Sequence, residues 1–185
     1  MAREFSGECQ IVPATAAMLP EILQLEEACF SAPWTRKMLE AELIGNQFAR
    51  FLVATVHKET EPSVGTIVGY HCFWIVFEEL RLMNLAVHES MRRRGIGRAL
   101  ATEAVGMGLA HAVRRAVLEV RASNEPAQRL YRQLGFVSIS TRRRYYTNPV
   151  EDALLMIMDP LVMPACSQHT RVNMHGDGIG SSTLT

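Results

Sequence analysis

Apolar residues first recur at a helical period between Thr15 and Phe30, where Met18, Ile22, Leu25 and Cys29 fall on one face at steps of three or four. A short extended run, Glu8–Pro13, precedes that stretch, and Thr15 is suited to cap a helix over Ala16–Phe30. Ser31-Ala32-Pro33-Trp34-Thr35 breaks the period. It resumes from Thr35 through Met38, Leu39 and Leu43 and stops at Gly45-Asn46. The pattern then changes to β-branched and aromatic runs, Phe48–Val56 and Val64–Val76, separated by the polar His57–Ser63 and so read as a hairpin. A tight turn at Glu78-Glu79 leads into a strand, Leu80–His88. A helix from about Gly95 to His111 follows, with Ile96, Leu100, Ala104 and Met107 on one side. Ala116–Arg121 reads as strand, Asn124–Leu134 as helix, and Phe136–Arg144 with Ala153–Met158 as a closing strand pair. The predicted order is β α α β β β α β α β β, a mixed α/β (α+β) chain.

The pattern fails after Asp159. Residues 1–159 are expected to form a single domain, and 160–185 a flexible tail. Pro160, Pro164 and the run Gly176–Ser182 leave that tail too little apolar surface to offset its ordering entropy. His169 and His175 lie there without spaced partners, so no metal site is assigned and the tail receives no function.

Composition narrows the partners. At 185 residues the chain fits one core plus extra chain. Its formal net charge of zero argues against a general affinity for nucleic acid or anionic membrane, so neither is expected as a partner. The most apolar stretch, Thr66–Phe77, is interrupted by Gly69 and His71 and fits a buried strand better than a span of roughly 20 residues. The N-terminus lacks the basic-then-apolar order of a signal peptide. Cys9, Cys29, Cys72 and Cys166 are scattered without a Cys-x-x-Cys pair, which predicts reduced thiols, no zinc and a cytoplasmic location. The pattern sets no oligomeric state.

Two segments carry chemistry. Arg92-Arg93-Arg94-Gly95-Ile96-Gly97-Arg98 stands between a strand and a helix. Glycines there let backbone approach a ligand, and free amides at a helix start favour a phosphate. No Gly-Lys-Ser/Thr follows, so this is not a Walker loop, and Leu100 stands where a dinucleotide fingerprint needs its third glycine. A solvated arginine run is the bland alternative. The second segment runs from Leu118-Glu119-Val120-Arg121 through Asn124 to Tyr131 and Leu134-Gly135-Phe136. Glu119 faces away from Leu118 and Val120 on its strand. Asn124, Ala127 and Tyr131 share one helix face. Simple capping by Asn124, packing of Tyr131 on Phe136 and an exposed Glu119 are the corresponding alternatives.

Taken together, Arg-x-x-Gly-x-Gly after a strand and then Leu-Glu-Val-Arg-x-x-Asn-x-x-Ala-x-x-Leu-Tyr-x-x-x-Gly-Phe resemble the GCN5-related N-acetyltransferase (GNAT) superfamily over roughly Cys9 to Pro160. With Arg142-Arg143-Arg144-Tyr145-Tyr146, the second segment looks most like the RimI-type enzymes, which acetylate the N-terminal alanine of a ribosomal small-subunit protein. The resemblance implies a central mixed sheet, splayed between Leu80–His88 and Ala116–Arg121 and flanked by about four helices, with acetyl-CoA as co-substrate. It further implies that the backbone of Leu85, Ala86 and Val87 meets the pantetheine arm. The amides of Arg93, Arg94, Gly95, Ile96, Gly97 and Arg98 would hold the pyrophosphate, and Asn124 and Tyr131 the lower part of CoA. Glu119 would be the base and Tyr131 the acid. Met91 and Arg92 depart from the aromatic residue and glutamine common there, which alters side-chain contacts and leaves the amide cradle intact. Phe30, Ser31, Pro33 and Trp34, facing Arg144, Tyr145 and Tyr146, are expected either to wall a peptide groove or to belong to the core. A lysine or small-amine acetyltransferase and a non-catalytic acyl-CoA-binding module are the alternative functions.

Overall fold

The computed structural model describes residues 9–58 and 61–165. Seven strands form one sheet in the order β1-β2-β3-β4-β5-β7-β6. The strands are β1 Cys9–Pro13, β2 Ala49–Lys58, β3 Glu61–Val76, β4 Glu79–Val87, β5 Arg115–Arg121, β6 Val137–Thr147 and β7 Val150–Met158. Four helices are interleaved: α1 Leu19–Cys29, α2 Arg36–Glu40, α3 Ile96–Ala110 and α4 Glu125–Leu134. The element order and class match those expected.

The local differences have identifiable causes. The first helix starts at Leu19, after a 3-10 turn over Ala16–Met18, and Thr15 makes no side-chain cap bond. Pro20 sits in the first turn of α1, where its missing N–H breaks no helical bond. Thr35 does cap its helix, accepting from Met38 N–H at 3.4 Å, but after Glu40 the chain widens into a π turn over Ala41–Gly45. Strand β6 continues past Arg144 to Thr147 by carrying a bulge between Arg142 and Tyr146.

Each face of the sheet has its own core. On one, α3 and α4 bury Leu100, Ala104, Tyr131 and Leu134 against Leu82, Leu118, Val120 and Met156. On the other, α1 and α2 bury Ile22, Leu25 and Leu39 against Phe51, Val53, Tyr70 and Cys72. Among the described residues the only parallel ladder is β4 with β5, joined through α3, and every other neighbouring pair is antiparallel.

The packed body does not end at Asp159, as the pattern predicts. Leu161 is buried, its N–H reaches Arg114 O, and its side chain abuts Gly108 of α3. Arg98 then donates to Ala165 O at 3.0 Å. Residues 160–165 thus lie along α3, held by one apolar anchor and two hydrogen bonds that periodicity does not reveal. The rest of the expected tail, with Cys166, His169 and His175, lies outside the described residues.

His71 is wholly buried beside Phe73, with Nδ1 3.4 Å from Leu100 O and, among the described residues, no partner for Nε2. Burial depresses its pKa to about 4, against the weaker opposing effect of the Leu100 carbonyl. An unfolded histidine titrates near 6.5, so between those values the unfolded chain binds the extra proton. The folded state is favoured above pH 6.5 and loses stability as pH falls toward 4, by about 3 kcal/mol in total from this group. Denaturant unfolding of the protein and of His71→Leu at pH 7 and 4.5 is expected to show a smaller pH dependence in the variant; equal dependence would place the acid sensitivity elsewhere.

Candidate active site

Strands β4 and β5 are paired only from Glu79–Leu82 against Arg115–Leu118, although both run on beyond those residues. The register of β4 on β3 slips at the same place: Phe73 pairs with Leu82 but His71 with Leu85, so β4 carries an extra residue around Met83-Asn84. The bulge turns β4 away from β5. His88 N–H returns to Val68 O at 2.8 Å. Strand alternation then directs the main-chain groups of Ala86 toward β3 and those of Leu85 and Val87 into the gap. Of the three residues expected along the pantetheine arm, Leu85 and Val87 therefore line the opening, and Ala86 pairs with Tyr70. Val87 O already accepts from Arg92 Nε at 3.0 Å and from the Cys29 thiol at 3.6 Å.

The glycine-arginine loop closes one end of this gap. Gly95 caps α3 at φ 82°, and Arg93 also adopts a positive φ of 65°. The first helical bond here is Ala99 N–H to Gly95 O at 2.9 Å, which leaves the preceding amides as the helix's free donors. Met91 is buried and anchors the loop, while Arg93 and Arg94 are exposed. The side chain of Ile96 is in the core, so only its main chain is available to a ligand. A Cβ on Gly97 would sit 3.5–3.7 Å from Leu85, Leu130 and Val87. The bare backbone at Gly97 therefore preserves a space between β4, α3 and α4 that a side chain would fill.

Glu119 lies on β5 opposite the buried Leu118 and Val120, with Oε1 3.0 Å from Arg142 Nη1 of β6. Tyr131 lies on the α4 side, buried and edge-on to Phe136 at 5.7 Å between ring centres. Burial, and then the nearby Tyr146 phenol, raise the Tyr131 pKa well above the usual tyrosine range. Tyr146 links the two sides, its hydroxyl donating to Glu119 O at 3.4 Å. Burial is the main reason its own pKa is pushed up to about 12. Asn124 spends its side-chain oxygen as the α4 cap, accepting from Ala127 N–H at 3.2 Å, and stays exposed.

The break between α1 and α2 meets the turn between β6 and β7 at Asn148, a residue outside the expected Arg144, Tyr145 and Tyr146 wall. Ser31 Oγ donates to Asn148 O at 3.2 Å, and Asn148 Nδ2 returns to Ser31 O at 3.4 Å. Phe30 and Trp34 are half-buried and pack on the second core. Tyr145 is 46% exposed and stands edge-on to Tyr146.

Arg121, which the motif contains, and Gln128 and Glu26, which it does not single out, hold these parts together. Arg121 bonds Glu151 at 3.1 Å and Asn148 O at 2.8 Å, and lies 4.1 Å over the Tyr146 ring. Buried Gln128 clamps α4 to the end of β5, donating to Arg121 O at 3.0 Å and Ala122 O at 2.8 Å. Glu26 is buried and accepts from Trp34 N–H, Asn84 and the Tyr70 hydroxyl. Its signal was present in the sequence as an acidic residue on the apolar face of α1, one turn after Ile22. Among the described residues no cluster of His, Cys, Asp or Glu could hold a metal ion, and no helix is long and apolar enough to cross a membrane.

A splayed mixed sheet with a glycine-arginine helix start beside the opening defines the acetyltransferase class. The chain belongs to the Acetyltransferase (GNAT) family, which matches residues 19–136. It is 33% identical over 142 residues to the [Ribosomal protein bS18]-alanine N-acetyltransferase of Salmonella typhimurium, covering 76% of this chain and 90% of that one. The enzyme of the same name from Escherichia coli K12 is 32% identical over the same length and coverage. The crystal structure of the ribosomal-protein-S18-alanine N-acetyltransferase from Escherichia coli superposes with a TM-score of 0.73 at 28% identity, covering 83% of this chain and 95% of that one. Arabidopsis thaliana NAA60, solved in complex with acetyl-CoA, shares the fold at 20% identity with a TM-score of 0.73, over 82% and 98% of the two chains.

Replacing Gln128 by Leu would leave two main-chain carbonyls at the end of β5 without their donor. The expected loss is about 1–3 kcal/mol of stability, read as a lower denaturant midpoint with unchanged slope. An unchanged midpoint would show that α4 is held by its apolar face alone.

Proposed function

We propose that the protein transfers the acetyl group of acetyl-CoA to the α-amino group of a protein N-terminus, the N-terminal alanine of a ribosomal small-subunit protein. The observation that carries this reading is the opening between β4 and β5, flanked by Glu119 from one face and Tyr131 from the other. The names of the bacterial relatives, which share a third of their residues with this chain, support the choice of acceptor.

Acetyl-CoA fits the residues around the opening. The outward main chain of Leu85 and Val87 offers a strand edge to the pantetheine amides. The space kept by Gly97 admits the arm, and the amides of Arg93 through Arg98 meet the pyrophosphate with their helix dipole aligned. Asn124 and Tyr131 border the lower part of CoA. Only a neutral amine carries the lone pair that attacks the thioester. At pH 7.5 an α-amine of pKa about 7.7–8.0 is neutral in roughly a quarter to two-fifths of molecules, against about a thousandth for lysine. Glu119, directly or through one water, takes the amine proton, and main-chain N–H groups of the β4 edge polarise the acetyl carbonyl. Tyr131 gives its proton to the departing sulfur. Its raised pKa keeps the phenol protonated throughout the working range. The same desolvation makes a thiolate leaving into the cleft more basic and so a better proton acceptor.

Peptides that begin with alanine and differ only in a free or blocked N-terminus test the reading. Acetylation of the free peptide alone is expected, and mass spectrometry locates the group. Transfer to an internal lysine would favour the lysine acetyltransferase alternative. Absence of transfer with intact acetyl-CoA binding would favour the binding module.

Tyr131→Phe keeps the ring and removes the proton. At least a tenfold fall in turnover with nearly unchanged acetyl-CoA affinity is expected, and full turnover would end the acid assignment. Glu119→Gln is expected to move the pH–rate profile to higher pH, where the amine deprotonates unaided; an unmoved profile would point to another base.

A further inference from the structure

We infer that Glu26 is a positioning residue that fixes the acceptor wall against the donor strand. This rests on the proposed acceptor groove and names what holds that groove in place. Glu26 lies in the last turn of α1 and has no exposed surface. A buried carboxylate needs compensating donors, and this one has three, each from a different part of the fold. Oε1 accepts from Trp34 N–H at 2.8 Å and from Asn84 Nδ2 at 3.1 Å, and Oε2 accepts from the Tyr70 hydroxyl.

Each donor sits where the site requires placement. Trp34 ends the break between α1 and α2, the segment whose Ser31 meets Asn148 in the turn between β6 and β7. Asn84 lies in the β4 bulge, immediately before Leu85 and Val87 at the open edge. Tyr70 belongs to β3, stacked on Phe51 in the second core. One oxygen thus joins the acceptor wall to the strand proposed to meet the donor, and the other roots both in the sheet. Burial raises the Glu26 pKa and its three donors oppose that rise, consistent with a group retained for its bonds.

Two substitutions separate geometry from charge. Glu26→Gln loses the charge but keeps an oxygen at the Oε1 position for Trp34 and Asn84, and the Tyr70 hydroxyl can turn to accept from the new amide. Glu26→Asp keeps the charge but is one methylene too short to reach Trp34 N–H. KM and kcat are measured with the free-N-terminus alanine peptide, and acetyl-CoA affinity by calorimetry. The expected result is a rise of tenfold or more in peptide KM for Glu26→Asp, a change under threefold for Glu26→Gln, and acetyl-CoA affinity within twofold for both. A purely structural role would lower stability without this split. Equal peptide KM for wild type and Glu26→Asp overturns the inference, as does an equal weakening of peptide and acetyl-CoA. If Glu26→Asp does not fold, a tenfold rise for Glu26→Gln overturns it and a change under threefold supports it. A wild-type protein that acetylates neither the free nor the blocked peptide overturns the proposed function and this inference with it; one that acetylates the free peptide leaves the inference to be decided by the variants.

Discussion

The parallel ladder between β4 and β5 stops after four residue pairs, and the rest of the candidate site depends on where it stops. Beyond Leu82 and Leu118 neither strand can satisfy its outward main-chain groups on the other, so the fold holds an opening through the sheet. An opening through a sheet has two mouths. One faces α3 and α4, where Gly97, the helix start and Tyr131 lie; the other faces the α1–α2 segment and the turn between β6 and β7, with Glu119 on that side of β5. The candidate base and the candidate acid therefore lie on opposite faces. In the proposed reaction this division is useful, because the amine enters on one side and the thiol leaves on the other.

Interrupting a ladder removes the usual source of rigidity, and polar side chains replace it here. Gln128 fastens α4 to the end of β5, and Arg121 fastens the end of β5 to the turn after β6. Glu151 completes that link by accepting from Arg121 and from Ser123 N–H. The face of Arg121 also covers the Tyr146 ring, whose hydroxyl reaches the main chain of Glu119. These contacts form a short chain from α4, which carries the candidate acid, to the candidate base without passing through the hydrophobic core. The part-buried members of this chain, the Gln128 bonds among them, are the costlier ones to lose, which ties the shape of the site to the stability of the fold.

Helices and strands were readable because their signals are local: period, caps and turn residues determine Asn124–Leu134 or Ala116–Arg121 without reference to distant parts. The open sheet entered only through the resemblance, and the detail that makes it open, the extra residue at Met83-Asn84, is a matter of register between two strands. Register has no signature in either strand alone. For the same reason Leu161 read as tail, since its burial depends on the bare backbone of Gly108. Glu119 and Tyr131 were legible as residue types in a motif, whereas their approach from opposite faces depends on how α4 packs. Glu26 was legible in principle, as a charge on an apolar stripe, but its three partners lie 8, 44 and 58 residues away.

The arginine run Arg142–Arg144 looks uniform in sequence and divides in the fold. Arg142 pairs with Glu119, Arg143 is exposed, and Arg144 turns at φ 52° with its N–H donating to Asp152. Only the first of these guanidinium groups is committed to the candidate base; the third residue contributes its main chain to the bulge. The Arg142 pairing also bears on the acceptor. With a guanidinium 3.0 Å from its carboxylate, Glu119 offers little net attraction to a protonated ammonium, and Arg142 repels one. A neutral amine escapes that repulsion and still finds a carboxylate oxygen to receive its proton. The local charge thus favours amines already partly deprotonated near neutral pH, which describes a peptide N-terminus better than a lysine side chain.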